Sequence, residues 1–133
     1  AMEHLDNLKI HVKSVGQRVE DLSGGQRQAV AVARATAFDA KVVIMDEPTA
    51  ALAVKEVAKV LDLIKGLRDR GIAVILISHR LDDIFYVCDR VMALYHGRNF
   101  EQGRLEDIER NEVVGWIMGN RGGAGTETAV DHN

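Results

Sequence analysis

Two uninterrupted apolar runs, Val42-Val43-Ile44-Met45 and Ile72 to Ile77, flank one strongly patterned amphipathic stretch. A run without alternation reads as a strand covered on both faces, the pattern of a parallel sheet. Between the runs, residues 54 to 70 keep the three-four spacing of a helix. Val54, Val57, Ala58, Leu61 and Ile64 fall on one side, with Lys and Asp on the other. Pro48, the sole proline, ends the first run, and Gly71 stops the helix just before the second. Strand, helix and strand in this order form a βαβ unit with a right-handed crossover. The fold class is therefore α/β.

Upstream, Leu22-Ser23-Gly24-Gly25-Gln26-Arg27-Gln28 precedes the small apolar run Ala29 to Ala37. Ser23 can cap the N–H three residues on while Gln26 reaches back to Ser23, a capping box. That reading leaves Gly24 and Gly25 unexplained, since each costs about 1 kcal/mol against Ala in a helix. Bare backbone at a helix N-terminus suits the close approach of an anion. The helix, from about Gly24 to Phe38, is expected to bury Ala29, Val30, Ala33 and Ala37. Before it, residues 2 to 10 read as a short helix with Met2, Leu5 and Leu8 on one face, and Lys13 to Asp21 as a polar connection.

Downstream, Leu81 to Cys88 reads as a short helix with Asp82 and Asp83 in its first turn, where the dipole favours negative charge. Val91 to Tyr95 reads as a strand that turns at His96-Gly97-Arg98 into Asn99 to Gln102, an antiparallel hairpin at the sheet edge. A last helix is expected over Glu112 to Met118, capped by Asn111. From Gly119 on, the glycine-rich tail has nothing to bury and is expected to be disordered.

Composition excludes several roles. A chain of 133 residues holds at most one domain. Its formal charge of −3 and six aromatic residues, with no basic stripe, give no case for nucleic-acid binding. The longest apolar run is far short of a membrane span. Cys88, the one cysteine, rules out an internal disulfide framework and fits a reducing cytosol. Following Phe85, Tyr86 and Val87, it reads as a core thiol rather than a nucleophile. No Cys or His pair has zinc spacing, and His4, His11, His96 and His132 read as solvated or packing residues.

Ligands of parallel α/β sheets bind at the carboxyl ends of strands, and two polar clusters fall there. Asp46-Glu47 follows the first run and Ser78-His79 the second. Adjacent carboxylates at the end of a buried strand are costly unless something uses them. Asp46 is suited to hold Mg²⁺, directly or through water. Glu47 could orient or deprotonate a water that attacks a phosphate. The plainer alternative is that both cap the next turn and pair with a nearby Arg. His79 could donate to a developing phosphoryl oxygen. A lone His is usually structural, but its place beside Asp46 and Glu47 favours the functional role.

With these residues in place, a resemblance follows. Leu22-Ser23-Gly24-Gly25-Gln26 resembles the signature motif of ABC transporter ATPases, Val42 to Glu47 their Walker B strand, and His79 their switch histidine, in matching order and spacing. The similarity covers residues 1 to 118. Gln28 to Ala35 and Thr49-Ala50-Ala51-Leu52 are similar to the subgroup that imports monosaccharides of the ribose, xylose and fructose type.

The resemblance implies the C-terminal portion of a P-loop NTPase core of the RecA type, with parallel strands, a terminal antiparallel hairpin and part of the helical signature subdomain. Residues 1–38 would form the signature part, 39–118 the Walker B and switch-histidine part, and 119–133 the tail. It also implies roles: Asp46 for Mg²⁺, Glu47 for the attacking water, His79 for the γ-phosphate. Ser23, Gly24, Gly25 and Gln26 would address ATP held by the opposite subunit of a head-to-tail dimer. The partners implied are a second ATPase subunit and membrane permease subunits, at the cytoplasmic face of the membrane.

Two departures stand out. Ala53 occupies a position where the family usually carries Asp, and no Gly-x-x-x-x-Gly-Lys-Ser/Thr occurs anywhere. The family's glutamine loop and adenine-stacking aromatic are expected upstream of Ala1. Alone, the chain is expected to bind MgATP very weakly and, with an unpaired sheet edge, to self-associate. The alternative is a non-catalytic truncated module that donates the signature to an intact partner. A third reading, an ATPase of the repair or chromosome-maintenance branch, lacks the long coiled coils those chains place beside the signature.

Overall fold

The apolar runs pair directly with each other. In the computed structural model, which describes residues 16–121, β1 (Val42–Asp46) lies parallel to β2 (Ala73–Ile77), in register from Val42 opposite Ala73 to Asp46 opposite Ile77. Side chains alternate across a strand, so Val43 and Met45 share a face with Val74 and Leu76. That face is buried or half-buried. The opposite face carries Val42, Ile44, Ile75 and Ile77, all about half exposed or more. The expectation of strands covered on both faces is therefore corrected. Composition marks a strand that can be doubly covered, but nothing among the described residues covers the second face.

The covered face is closed by helices. Helix α1 (Gly24–Thr36) packs on β1 and on α2 (Val54–Asp69), and α2 also packs on β2 and on α3 (Leu81–Val87). Along α2 the buried side chains are Val57, Val60, Leu61, Ile64 and Leu67, so the helical spacing holds but its face is rotated from the expected one. Val54 and Ala58 are exposed, and Val60 and Leu67 take their place. In α1, Val32, Ala33 and Thr36 are buried. Ala29 and Val30 are half-buried and Ala37 is exposed. Both faces were misplaced for the same reason: spacing fixes the period of a stripe, and the packing partner fixes its phase.

This first compact unit ends at Val87 and a second starts at Cys88. In the second, β3 (Arg90–Tyr95) and β4 (Arg98–Arg104) form an antiparallel hairpin with an irregularity between Ala93 and Leu94. His96 and Gly97, at φ 49° and 73°, make its two-residue turn, a conformation that Gly supplies without strain. The hairpin is its own two-stranded sheet, and neither strand pairs with β1 or β2; it is not an edge of the parallel sheet as expected. A hairpin signal specifies the ladder within the hairpin and says nothing of which sheet it joins.

Helix α4 (Arg110–Ile117) packs on β3. It begins after Glu109 rather than Asn111, and the Glu112 carboxylate accepts from the Glu109 N–H at 2.8 Å. Three residues of the expected tail, 119–121, fall among the described residues. The Asn120 N–H closes on the Gly115 carbonyl at 2.8 Å, and Arg121 pairs with Glu101 at 3.2 Å. The expected helix at 2–10 and the rest of the tail lie outside the described residues.

Candidate functional site

Parallel pairing in register brings the carboxyl ends of β1 and β2 side by side. Asp46 is the last residue of β1 opposite Ile77, and the Glu47 N–H extends the ladder by one rung, donating to the Ile77 carbonyl at 2.8 Å. Glu47 then turns out of the strand with φ 46°, a left-handed conformation uncommon for a side chain of its size. Residues 47 and 79, 32 positions apart in sequence, meet there. Glu47 Oε1 accepts the His79 backbone N–H at 3.0 Å, and the His79 Nδ1 lies 2.9 Å from the same oxygen.

The two oxygens of Glu47 are in different states. Oε1 is engaged by His79, whereas Oε2 is closed to solvent and has no hydrogen-bond partner among the described residues. A buried acceptor without a donor is costly and rare in native structures. The Asp46 side chain is exposed at the strand end and makes no ion pair or hydrogen bond among the described residues. The exposed Asp46 carboxylate fits Mg²⁺, which binds through one or two carboxylates and completes its shell with phosphate oxygens and water. No cluster of three or more acidic, His or Cys side chains forms an all-protein metal cage among the described residues. The alternative in which both carboxylates pair with a nearby Arg is not seen. Arg80 turns instead to Asp83, at 3.2 Å.

The glycine-rich stretch is a helix start, as its residues require. Ser23 Oγ accepts from the Gln26 N–H at 3.2 Å, and Gln26 Oε1 accepts from the Ser23 N–H at 3.0 Å, which completes the capping box. Gly24 and Gly25 have a reason beyond anion approach. A Cβ on Gly24 would collide with Leu52, and one on Gly25 with the Glu56 carboxylate. Both overlaps are with the far ends of flexible side chains, which can shift, so they favour glycine only mildly. Glu56 further accepts from the Ser23 hydroxyl at 3.2 Å and pairs with Lys59 at 3.4 Å.

Glu47 and His79 are thus brought into contact, with Asp46 next in the chain. Ser23 bonds to Gln26 and Glu56 instead. Sequence reading missed Glu56, Thr49 and Asp83. Glu56 carried a faint signal: Ala53 cannot cap α2, so an acid in its first turn is free to serve another helix. Cys88 is half-buried, short of the core position expected. Burial pushes its thiol up, with Asp89 adding to the effect, which disfavours the nucleophilic thiolate.

The family described as "ABC transporter" matches residues 1–50. The chain is 45% identical over 110 residues to the xylose/arabinose import ATP-binding protein XylG of Sulfolobus acidocaldarius, covering 83% of this chain and 44% of that protein. It is 49% identical over 108 residues to the fructose import ATP-binding protein FrcA of Rhizobium meliloti, covering 81% of this chain and 42% of that protein. It is 39% identical over 119 residues to the ribose import ATP-binding protein RbsA of Bacillus licheniformis, covering 90% of this chain and 24% of that protein. The chain therefore spans less than half the length of these relatives.

Among solved structures, the ATP-binding cassette MJ1267 superposes with a TM-score of 0.73 at 27% identity, over 86% of this chain and 47% of that one. The dimeric cassette MJ0796 bound to ADP and Pi superposes with a TM-score of 0.64 at 30% identity, over 78% and 45%.

Proposed function

We propose, since this chain belongs to the ATP-binding family of ABC transporters, that it is the signature and Walker B portion of a subunit that hydrolyses ATP to drive sugar import. The observation that carries the reading is the contact between Glu47 and His79 at the ends of two parallel strands. In this reading Glu47 is the general base that takes a proton from the attacking water, and His79 both holds that carboxylate and faces the γ-phosphate. Oε2 makes no hydrogen bond among the described residues, so its acceptor capacity is open once a water reaches it. Asp46 holds Mg²⁺, which when bound neutralises charge on the phosphates.

Ser23, Gly24, Gly25 and Gln26 serve a nucleotide held by a second ATPase subunit. The amides of Gly24 and Gly25 open the helix and have no intrahelical acceptor, so they suit a phosphate donated from outside. Residues 1–118 are the portion of the ATPase domain concerned, with 1–38 as its signature part and 39–118 as its core part. Membrane permease subunits are the partners for transport, at the cytoplasmic face. No helix among the described residues is long and apolar enough to cross a membrane.

A second reading is favoured by one observation: the 133 residues contain no phosphate-cradling Gly-x-x-x-x-Gly-Lys-Ser/Thr. On its own the chain would then be a non-catalytic module that lends its signature to an intact partner. Both readings give the same result for the isolated chain. Calorimetric titration with MgATP is expected to give an affinity weaker than about 1 mM. A micromolar affinity would show that the site founds nucleotide binding by itself and overturn the composite-site reading.

The bare sheet face supplies a further expectation. Val42, Ile44, Ile75 and Ile77 form a contiguous apolar strip on one side of β1 and β2, and burying such side chains is worth about 1.5–3 kcal/mol each. The isolated chain is therefore expected to self-associate. Light scattering should show a mass above that of one chain, rising with concentration. A stable monomer at high concentration would refute it.

A further inference from the structure

Three polar or charged side chains are buried among the described residues: Thr36, Thr49 and Asp83. Thr36 turns its hydroxyl back to the Val32 carbonyl of its own helix at 2.9 Å. Thr49 and Asp83 bond to each other instead. Thr49 Oγ1 donates to Asp83 Oδ2 at 2.6 Å, with Thr49 at 1% and Asp83 at 2% exposure. Arg80 Nε adds a second contact to the same oxygen at 3.2 Å.

Stability alone is a weak reason for such a pair. Burying a carboxylate costs several kcal/mol, and well-packed apolar residues of the same volume often do as well or better. What the pair does have is position. Thr49 lies two residues beyond Glu47, joined to it by buried Pro48, whose ring fixes φ. Asp83 lies four residues beyond His79, in the first turn of α3. The two loops that carry Glu47 and His79 are thus tied a second time, below the surface.

The first of those loops also needs restraint. Glu47 and Ala51 both have positive φ, 46° and 58°. Conformations of that kind persist only where the surroundings over-determine them. Few restraints are local: the Ala50 N–H reaches the Glu47 carbonyl at 3.1 Å and the Leu52 N–H the Thr49 carbonyl at 3.4 Å.

We propose that the Thr49–Asp83 hydrogen bond is a positioning clasp, which holds the Glu47 carboxylate against His79 by locking the loop after β1 to the start of α3. Its relevance to catalysis rests on the reading of Glu47 and His79 given above. Thr49 and Asp83 are positioning residues and touch no reacting atom.

Hydrogen exchange of the His79 amide, which donates to Glu47, reads the clasp directly. In Thr49→Val, nearly isosteric but without the hydroxyl, that amide is expected to exchange about tenfold faster, the scale of one hydrogen bond. The amides of Leu61 and Ile64 in α2 should keep their rates, and Thr49→Ser should restore the His79 rate. Asp83→Leu, of similar volume but with no acceptor for the Thr49 hydroxyl, supplies the same readout if Thr49→Val does not fold, with the His79 amide again selectively accelerated. An unchanged His79 rate in a folded variant overturns the clasp, as does acceleration spread equally over α2. In the intact ATPase, kcat should fall in Thr49→Val with KM for ATP unchanged. If His79 exchange rises while kcat holds, the clasp stands and the catalytic reading of Glu47 and His79 falls.

Discussion

Replacing Glu47 by Gln in the intact ATPase is expected to slow ATP hydrolysis by about 10²–10⁴-fold, the usual scale for losing a general base, while ATP affinity is kept. Gln matches Glu in shape, and its amide oxygen can still accept the His79 N–H that now reaches Oε1 at 3.0 Å. What it loses is the basic oxygen. Oε2, closed to solvent and without a partner, would be replaced by an amide nitrogen that cannot take a proton. Nucleotide affinity should hold because Glu47 makes no claim on the phosphate cradle, and Asp46 keeps its exposed carboxylate. Steady-state turnover read beside equilibrium ATP binding checks this. Unchanged turnover would show that Glu47 is not the base and leave its contact with His79 a structural one.

The parts of this site that are local in sequence were the legible ones. The capping box at Ser23 and Gln26, the βαβ order and the ends of β1 and β2 all follow from spacing over a few residues, and the structure repeats them. The parts that were not legible join distant positions. The Ser23–Glu56 bond spans 33 residues and the Thr49–Asp83 bond spans 34. Asp83 in particular reads from sequence only as an acid placed for the helix dipole, because a first-turn carboxylate has the same sequence appearance whether buried or exposed.

The glycines show the same limit from the other side. Bare backbone at Gly24 and Gly25 reads as the close approach of an anion, and the side chains found beside it are Leu52 and Glu56 of the same chain. An anion and a packed side chain ask the same thing of a glycine, so the sequence alone cannot separate them. The apolar run of β1 behaves similarly. Ile44 is as hydrophobic as a doubly covered strand requires, yet it is 66% exposed here. Composition records what a strand is able to bury against, and only the remaining strands and helices decide what does so.

The largest effect on the fold is expected at Leu67. Replacing it by Ala should lower the stability of the first unit by about 2–5 kcal/mol, through lost burial and the cavity left behind. Leu67 is at 0% exposure near the end of α2, in line with Val57, Val60 and Ile64. This helix is the crossover of the βαβ unit, packed on β2 and α3, so little else can collapse into the space. Against a typical domain stability of about 5–15 kcal/mol, such a loss raises the open population about 30- to 4,000-fold. In the opened molecules the contact between Glu47 and His79 should be lost, since α2 connects the strand that ends at Asp46 to the one that leads to His79. Urea unfolding followed by helical signal should show the midpoint falling sharply. Val54→Ala, at 87% exposure on the same helix, should stay within about 0.5 kcal/mol of the parent. Equal effects at the two positions would mean that α2 does not pack through the face assigned to it.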